Sequence, residues 1–427
     1  MKSLVLPLAV GLWFGVLGSG LEEAPAAFDG QSNGLVDQAT HESDREEFDG
    51  VEGISEGLGP IYNAQSCREC HQNPDSGGPS QVAELRAGHR DARGRFVPAS
   101  VPIGDGTTVI TGRTLINDRA ICPSAAFPKH EIQERVPDTE NIRTLRMSLS
   151  LFGDGFVEAV ADDTLRKLAA DQCRKSGGRI CGKALDVPVL ESAGKTAVGR
   201  FGWKNQQASL LSFSADAYLN EMGITSSLQP DEFAPLCDTV KDPESLPEGD
   251  EQADIERFAR FMRALKAPPR DTALAATADA QKGARLFETI GCATCHVATL
   301  ETAPVGSKVN AGAFTVPEAL GGKVFHPYGD FLLHDVGTGD GIALATEEHF
   351  GRAYRGLQPS MEPTANRLRT PPLWGVRQRP RLMHDGRSLT FTAAIQRHAG
   401  EAAVERRKFI ALSQREKQQV LTFLRSL

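Results

Sequence analysis

Apolar and polar positions divide the chain into a few helical stretches separated by long irregular ones. Between Lys282 and Gly291 the apolar residues Leu286, Phe287 and Ile290 fall on one helical face. Gly291 predicts the end of that helix, since glycine accepts the left-handed conformation that closes many helices. The chain finishes with Val420, Leu421, Phe423, Leu424 and Leu427 at helical spacings, and Ser413 with Glu416 has the spacing of a capping box. A similar helix is predicted through Ile255, Phe258, Phe261, Met262 and Leu265, stopped by Ala267-Pro268-Pro269. Residues 76–200 read mostly as loop. Asp75-Ser76-Gly77-Gly78-Pro79 and Gly104-Asp105-Gly106 are turn signals there, and only Val101 to Thr111 suggests a short strand or two.

One apolar run has a different meaning. Lys2 precedes a stretch from Leu4 to Leu17, followed by the small residues Gly18-Ser19-Gly20. About 20 apolar residues are needed to span a bilayer, and this run is shorter. It reads as a secretory signal over residues 1–20, with an uncleaved anchor as the plain alternative. The expectation is a periplasmic or secreted protein with no stable membrane span. No cysteine follows the small residues to take a lipid anchor.

At 427 residues the chain exceeds one ordinary domain. Its 40% hydrophobic and 24% charged residues suit a soluble globular protein. A net charge of −8 argues against nucleic acid or an anionic membrane surface as a partner.

The chemistry is concentrated in the eight cysteines. Four stand in two copies of one motif, Cys67-Arg68-Glu69-Cys70-His71 and Cys292-Ala293-Thr294-Cys295-His296. Two thiols at this spacing reach both vinyl groups of one porphyrin, and the adjacent His lies under the iron, so the motif is the attachment site of c-type haem. A thioredoxin-like pair does not need the His. A zinc site joining the two pairs leaves both His residues unexplained. Cys173 and Cys181 flank a polar loop and could form a local disulfide, with Cys122 and Cys237 left as the other pair. Buried free thiols are the alternative.

Two tandem modules follow from this arrangement, each a cytochrome c-like domain with the helices described above. The boundary is expected at the Pro pair: residues 21–268 with the first haem and a long loop-rich insertion, residues 269–427 with the second. The expected fold class is mostly α.

The chain also resembles the di-haem oxidoreductase family, within the superfamily of di-haem cytochrome c peroxidases and MauG-type enzymes. The resemblance runs from Phe48-Asp49-Gly50 to the end. It is carried by Gly57-Leu58-Gly59-Pro60-Ile61-Tyr62-Asn63, Gly155-Phe156-Val157-Glu158-Ala159-Val160, Gly199-Arg200-Phe201-Gly202-Trp203-Lys204 and Leu333-His334-Asp335-Val336-Gly337. The most specific block is Arg369-Thr370-Pro371-Pro372-Leu373-Trp374-Gly375 with His384-Asp385-Gly386-Arg387.

The resemblance implies a peroxidase-like enzyme with a reactive N-terminal haem on His71 and an electron-relay C-terminal haem on His296. A small redox protein would be electron donor or acceptor, and hydrogen peroxide or another small molecule the substrate. It places the sixth ligand of the second iron at His398, with Met383 or His384 as alternatives. Imidazole there would favour ferric iron over what a thioether gives. Glu158 is the candidate proton-moving group at the first haem, and Trp203 and Trp374 are candidates for an aromatic between the haems, although Trp often simply fills a core. His130, Met147 or Tyr62 could instead close the first iron. The resemblance also allows a calcium ion, although no Asp-x-Asp-x-Asp-Gly loop occurs. The alternatives are a pure electron-transfer di-haem cytochrome, and a MauG-like oxidase or oxygenase of an organic or protein substrate.

Overall fold

The computed structural model describes residues 21–104, 106–125, 128–129, 131–234, 236–237, 242, 253–352 and 361–427. The expected signal over residues 1–20, and His130, lie outside the described residues. No helix among those described is long and apolar enough to cross a membrane.

The three helices expected from periodicity are present. Ala278–Ile290 buries Leu286, Phe287 and Ile290 and is closed by Gly291 at φ 105°. It crosses the last helix, Gln414–Arg425, which begins with the Ser413/Glu416 capping box. The crossing is close because position 283 is glycine: a Cβ there would lie 1.9 Å from the Gln419 carbonyl oxygen. Phe287 and Phe423 pack with ring centroids 5.2 Å apart beside that contact. Helix Asp254–Ala264 buries Ile255, Phe258, Phe261 and Met262. It lies along Gln38–Asp49 through Phe48 against Phe261, at 4.8 Å, and the Arg260–Asp44 ion pair at 2.6 Å.

The expectation of a mostly α protein needs correction. The chain is 33% helical and 16% strand, a mixed fold with several small sheets. The largest sheet lies within the stretch that reads as loop. Ala83–Arg90 pairs antiparallel with Phe96–Ile103, Leu115–Ile116 and Ile142–Met147, and Thr108–Arg113 extends it from Phe96–Ile103. The strands escape a periodicity search because charged residues face inward. Arg86, Arg113 and Arg146 are buried, so the alternation of apolar and polar positions that marks a strand is lost.

The two sides of the expected boundary interlock. Glu22–Glu23 pairs in parallel with Lys323–Val324, and buried Glu348 bonds to Arg86 and, at 2.7 Å, to the Thr114 amide. The largest core combines Phe48, Phe156 and Phe258 with Phe325, Phe331 and Trp374. A second core is built from residues 286–427 alone, around the crossing helices. Both disulfides are formed, Cys122–Cys237 and Cys173–Cys181. The four cysteines left free are those of the two Cys-x-x-Cys-His motifs.

Candidate active site: two cavities behind two similar turns

Each motif folds as a short 3-10 turn, Cys67–Glu69 and Cys292–Thr294. The amides of His71 and His296 donate to the carbonyls of Cys67 and Cys292, both at 3.0 Å. Burial lowers each imidazole to about 4, so both are neutral and able to ligate a metal. Burial also raises the Cys70 and Cys292 thiols to about 12, far from the low values of reactive redox cysteines.

Behind each turn lies a cavity. The first, of about 660 Å³, is lined by Cys67, Cys70 and His71, and the large sheet forms one wall through Ala83–Arg86 and Arg143–Met147. The second, of about 190 Å³, is lined by Cys292, Cys295 and His296 and by apolar groups such as Phe287, Leu373 and Val420. Both are concave spaces with the two thiols and the neutral imidazole of a Cys-x-x-Cys-His turn on the wall, which is the donor set a c-type haem needs.

The second cavity brings His296 and His398 together. His296 Nδ1 lies 3.0 Å from the Tyr328 carbonyl, and His398 Nδ1 lies 2.9 Å from that of Ala394. Each bond fixes a tautomer with Nδ1 protonated and leaves Nε2 as the free donor, an arrangement typical of metal-ligating histidines. Burial lowers His398 as well. Met383 and His384 line the same cavity, and burial lowers His384 to about 4.

The first cavity is far more polar. Helix Leu210–Ala217 widens into a single π turn, Tyr218–Met222, a distortion often found at functional sites. This turn carries Glu221 to the cavity wall beside Glu84. Burial and the neighbouring Glu84 carboxylate push Glu221 well above the ordinary carboxylate range. Asn63 donates to it at 3.3 Å, while Arg86 holds Glu84 at 2.7 Å. His349 also lines this cavity, with Nδ1 3.0 Å from the Asp216 carboxylate. Glu84, Glu221, Asp216 and His349 are not distinguished by any local motif. Only the pairing of Ala83–Arg90 in the sheet and the π turn brings them to one space.

Glu158 is placed elsewhere. It is completely buried, and its carboxylate accepts from Arg263 at 2.6 and 2.9 Å, from the Leu210 amide at 2.9 Å and from Asn310 at 2.9 Å. It lines neither cavity. Trp374 also lines neither; it packs 5.7 Å from Phe325 in the large core. Trp203 lines both cavities, and its indole N–H donates to the Met147 carbonyl at 2.8 Å. Met147 lines the first cavity, and Tyr62 does not. Glu47, Glu52 and Asp254 bring carboxylate oxygens within 4.8 Å of one another, but Arg257 and Tyr218 already contact this group.

The sequence blocks converge between the cavities. Leu333–His334 pairs antiparallel with Leu368–Arg369, and the Arg369 amide donates to the Trp203 carbonyl at 2.8 Å. His334 bonds Asp330 and Glu401, each at 2.9 Å, and lies 3.8 Å from the Cys295 sulfur. These carboxylates outweigh burial and raise His334 to about 12.

A family model described as "Di-haem oxidoreductase, putative peroxidase" matches residues 125–427. No curated protein matches the chain. Among solved structures it is similar to hydrazine synthase from Kuenenia stuttgartiensis, at 13% identity over all of both chains and TM-score 0.38. A MauG-like protein associated with microbial copper homeostasis is 15% identical over 97% of this chain and 95% of that one, at TM-score 0.39. The diheme peroxidase BthA from Burkholderia thailandensis is 13% identical over 53% of this chain and 65% of that one, at TM-score 0.30. The family match carries the assignment: the chain belongs to the di-haem oxidoreductase family.

Proposed function

We propose that the protein is an exported di-haem c-type cytochrome with peroxidase-like activity, the first cavity holding a reactive haem and the second a relay haem. Cys67, Cys70 and His71 would hold the first haem, and Cys292, Cys295 and His296 the second, with His398 as its sixth ligand. The module boundary falls at residues 268/269. The supporting observation is the contrast between the cavities: the larger holds a carboxyl pair able to keep a proton, the smaller two histidines with free Nε2 atoms. Haem, when bound, supplies iron that exchanges electrons and accepts peroxide.

The chain's own residues do the rest. Glu221 holds a proton at its carboxyl because burial and Glu84 disfavour its ionised form, so it is the group to move a proton between the oxygens of peroxide. Arg86 fixes Glu84 in place through a 2.7 Å hydrogen bond. Trp203 bridges the cavities with a rigid aromatic ring and is the candidate path for electrons between them. Electrons would come from a small redox protein. Met147 favours a second reading: if its sulfur closes the first iron, the protein is an electron carrier only.

The test is haem retention followed by turnover. After acidified-acetone extraction the protein should keep two haems per chain, and with a reduced artificial donor it should consume peroxide. Extractable haem contradicts the c-type assignment. Two retained haems without peroxide consumption, in both the ferric and half-reduced forms, contradict the peroxidase-like one.

A further inference from the structure

Among the described residues the buried guanidinium of Arg369 has no carboxylate hydrogen-bond partner; it stands 5.6 Å from the Phe331 ring centroid. Arg369 is 4% exposed, yet its Nε is buried without a partner among the described residues, and its guanidinium donates to the Arg200 carbonyl, at 2.9 Å. A desolvated guanidinium ordinarily requires an anion. The acid nearest in effect is Asp154, which burial raises to about 8, so it supplies little negative charge at neutral pH. Arg379 compounds the imbalance: burial and the neighbouring Arg369 lower it to about 10, and it donates to the Ser148 carbonyl at 3.2 Å. Two guanidinium groups close together in a low-dielectric interior form a site for carboxylates.

The position of Arg369 identifies which carboxylates. The Leu333–His334 and Leu368–Arg369 ribbon and the bond to Trp203 set it where the cavities approach each other. Arg369 and Trp203 are the two described residues that line both. A haem in either cavity brings two propionates. A guanidinium, with five N–H donors in a fixed fork, can serve carboxylates on two sides.

We propose that Arg369 is a clamp shared by the two cofactors, bonding a propionate of each haem where the two cavities approach each other. The clamp rests on the reading that both cavities hold haem. A positive charge on a porphyrin carboxylate favours the reduced iron. One side chain therefore sets part of the potential of both centres.

Redox titration of the purified holoprotein, following each haem by its own spectrum, tests this with Arg369→Gln. The expected result is a fall in both midpoint potentials with two haems still attached per chain. A shift confined to one haem, or none, with both haems retained overturns the clamp and leaves the di-haem reading intact. Fewer than two haems in the parent protein overturns that reading, and the clamp with it. If the Gln variant does not accumulate, Arg369→Lys, which keeps the charge but loses the fork, is titrated instead. A smaller fall at both haems supports the clamp, and a shift at one or neither overturns it.

Discussion

The two Cys-x-x-Cys-His turns have nearly the same backbone and very different surroundings. Behind Cys67–His71 is a space of about 660 Å³ walled by a sheet with inward charges; behind Cys292–His296 is one of about 190 Å³ walled largely by apolar side chains from the crossing helices. On the proposed reading, the motif alone says where a haem would attach. What the haem can do there depends on the groups opposite. In the second cavity His398 stands on the wall together with His296. The first offers Glu221, whose proton is held by burial and by Glu84.

The largest expected effect is on that proton. Glu221→Gln should lower peroxide turnover by roughly 100-fold or more, the usual weight of general acid–base catalysis. Because the carboxyl must be protonated to donate and its folded value is raised, parent activity should fall as pH rises through that raised value. The variant's pH profile should lack this limb. An unchanged rate and profile would remove the proton-handling difference between the cavities.

Glu158 provides the structural counterpart. Glu158→Ala leaves Arg263 without its partner inside the core, which should cost about 3–5 kcal/mol. Chemical denaturation would measure it, with two haems still retained. A loss of turnover without loss of stability would return Glu158 to the catalytic role suggested by its sequence block.

At the second cavity, His398→Met should raise the midpoint potential of one haem, on the order of 100 mV out of the ~0.8 V that axial ligation spans. Redox titration reads it, and no change would mean that Met383 or His384 is the ligand. The smallest effect is expected from Trp203→Phe, which removes the hydrogen bond to Met147 at about 1 kcal/mol. It should slow electron exchange between the haems in stopped-flow traces. Unaltered exchange would leave Trp203 a packing residue.

How much of this could be read in the sequence follows the range of the signal. The helices Asp254–Ala264, Ala278–Ile290 and Gln414–Arg425 have amphipathic faces and local caps, so periodicity finds them. The two Cys-x-x-Cys-His turns are legible because the motif is local, and His398, picked out by family pattern, stands on the wall of the second cavity. The sheet around Ala83–Arg90 is not, since buried Arg86 and Arg146 mask its alternation and its partners lie up to Met147 in sequence. Glu221 depends on a single π turn, and its pairing with Glu84 on non-local contacts. Glu158 misleads because a family-matching block marks a core ion pair as readily as a site.

On the proposed reading one centre is open to peroxide and the other is closed by two histidines. Low-temperature EPR of the ferric holoprotein, before and after peroxide and again at half-reduction, tests it most directly. A high-spin axial signal beside a low-spin one is expected, with the high-spin signal lost on adding peroxide. Two low-spin signals indifferent to peroxide in both redox forms would contradict it and leave an electron carrier.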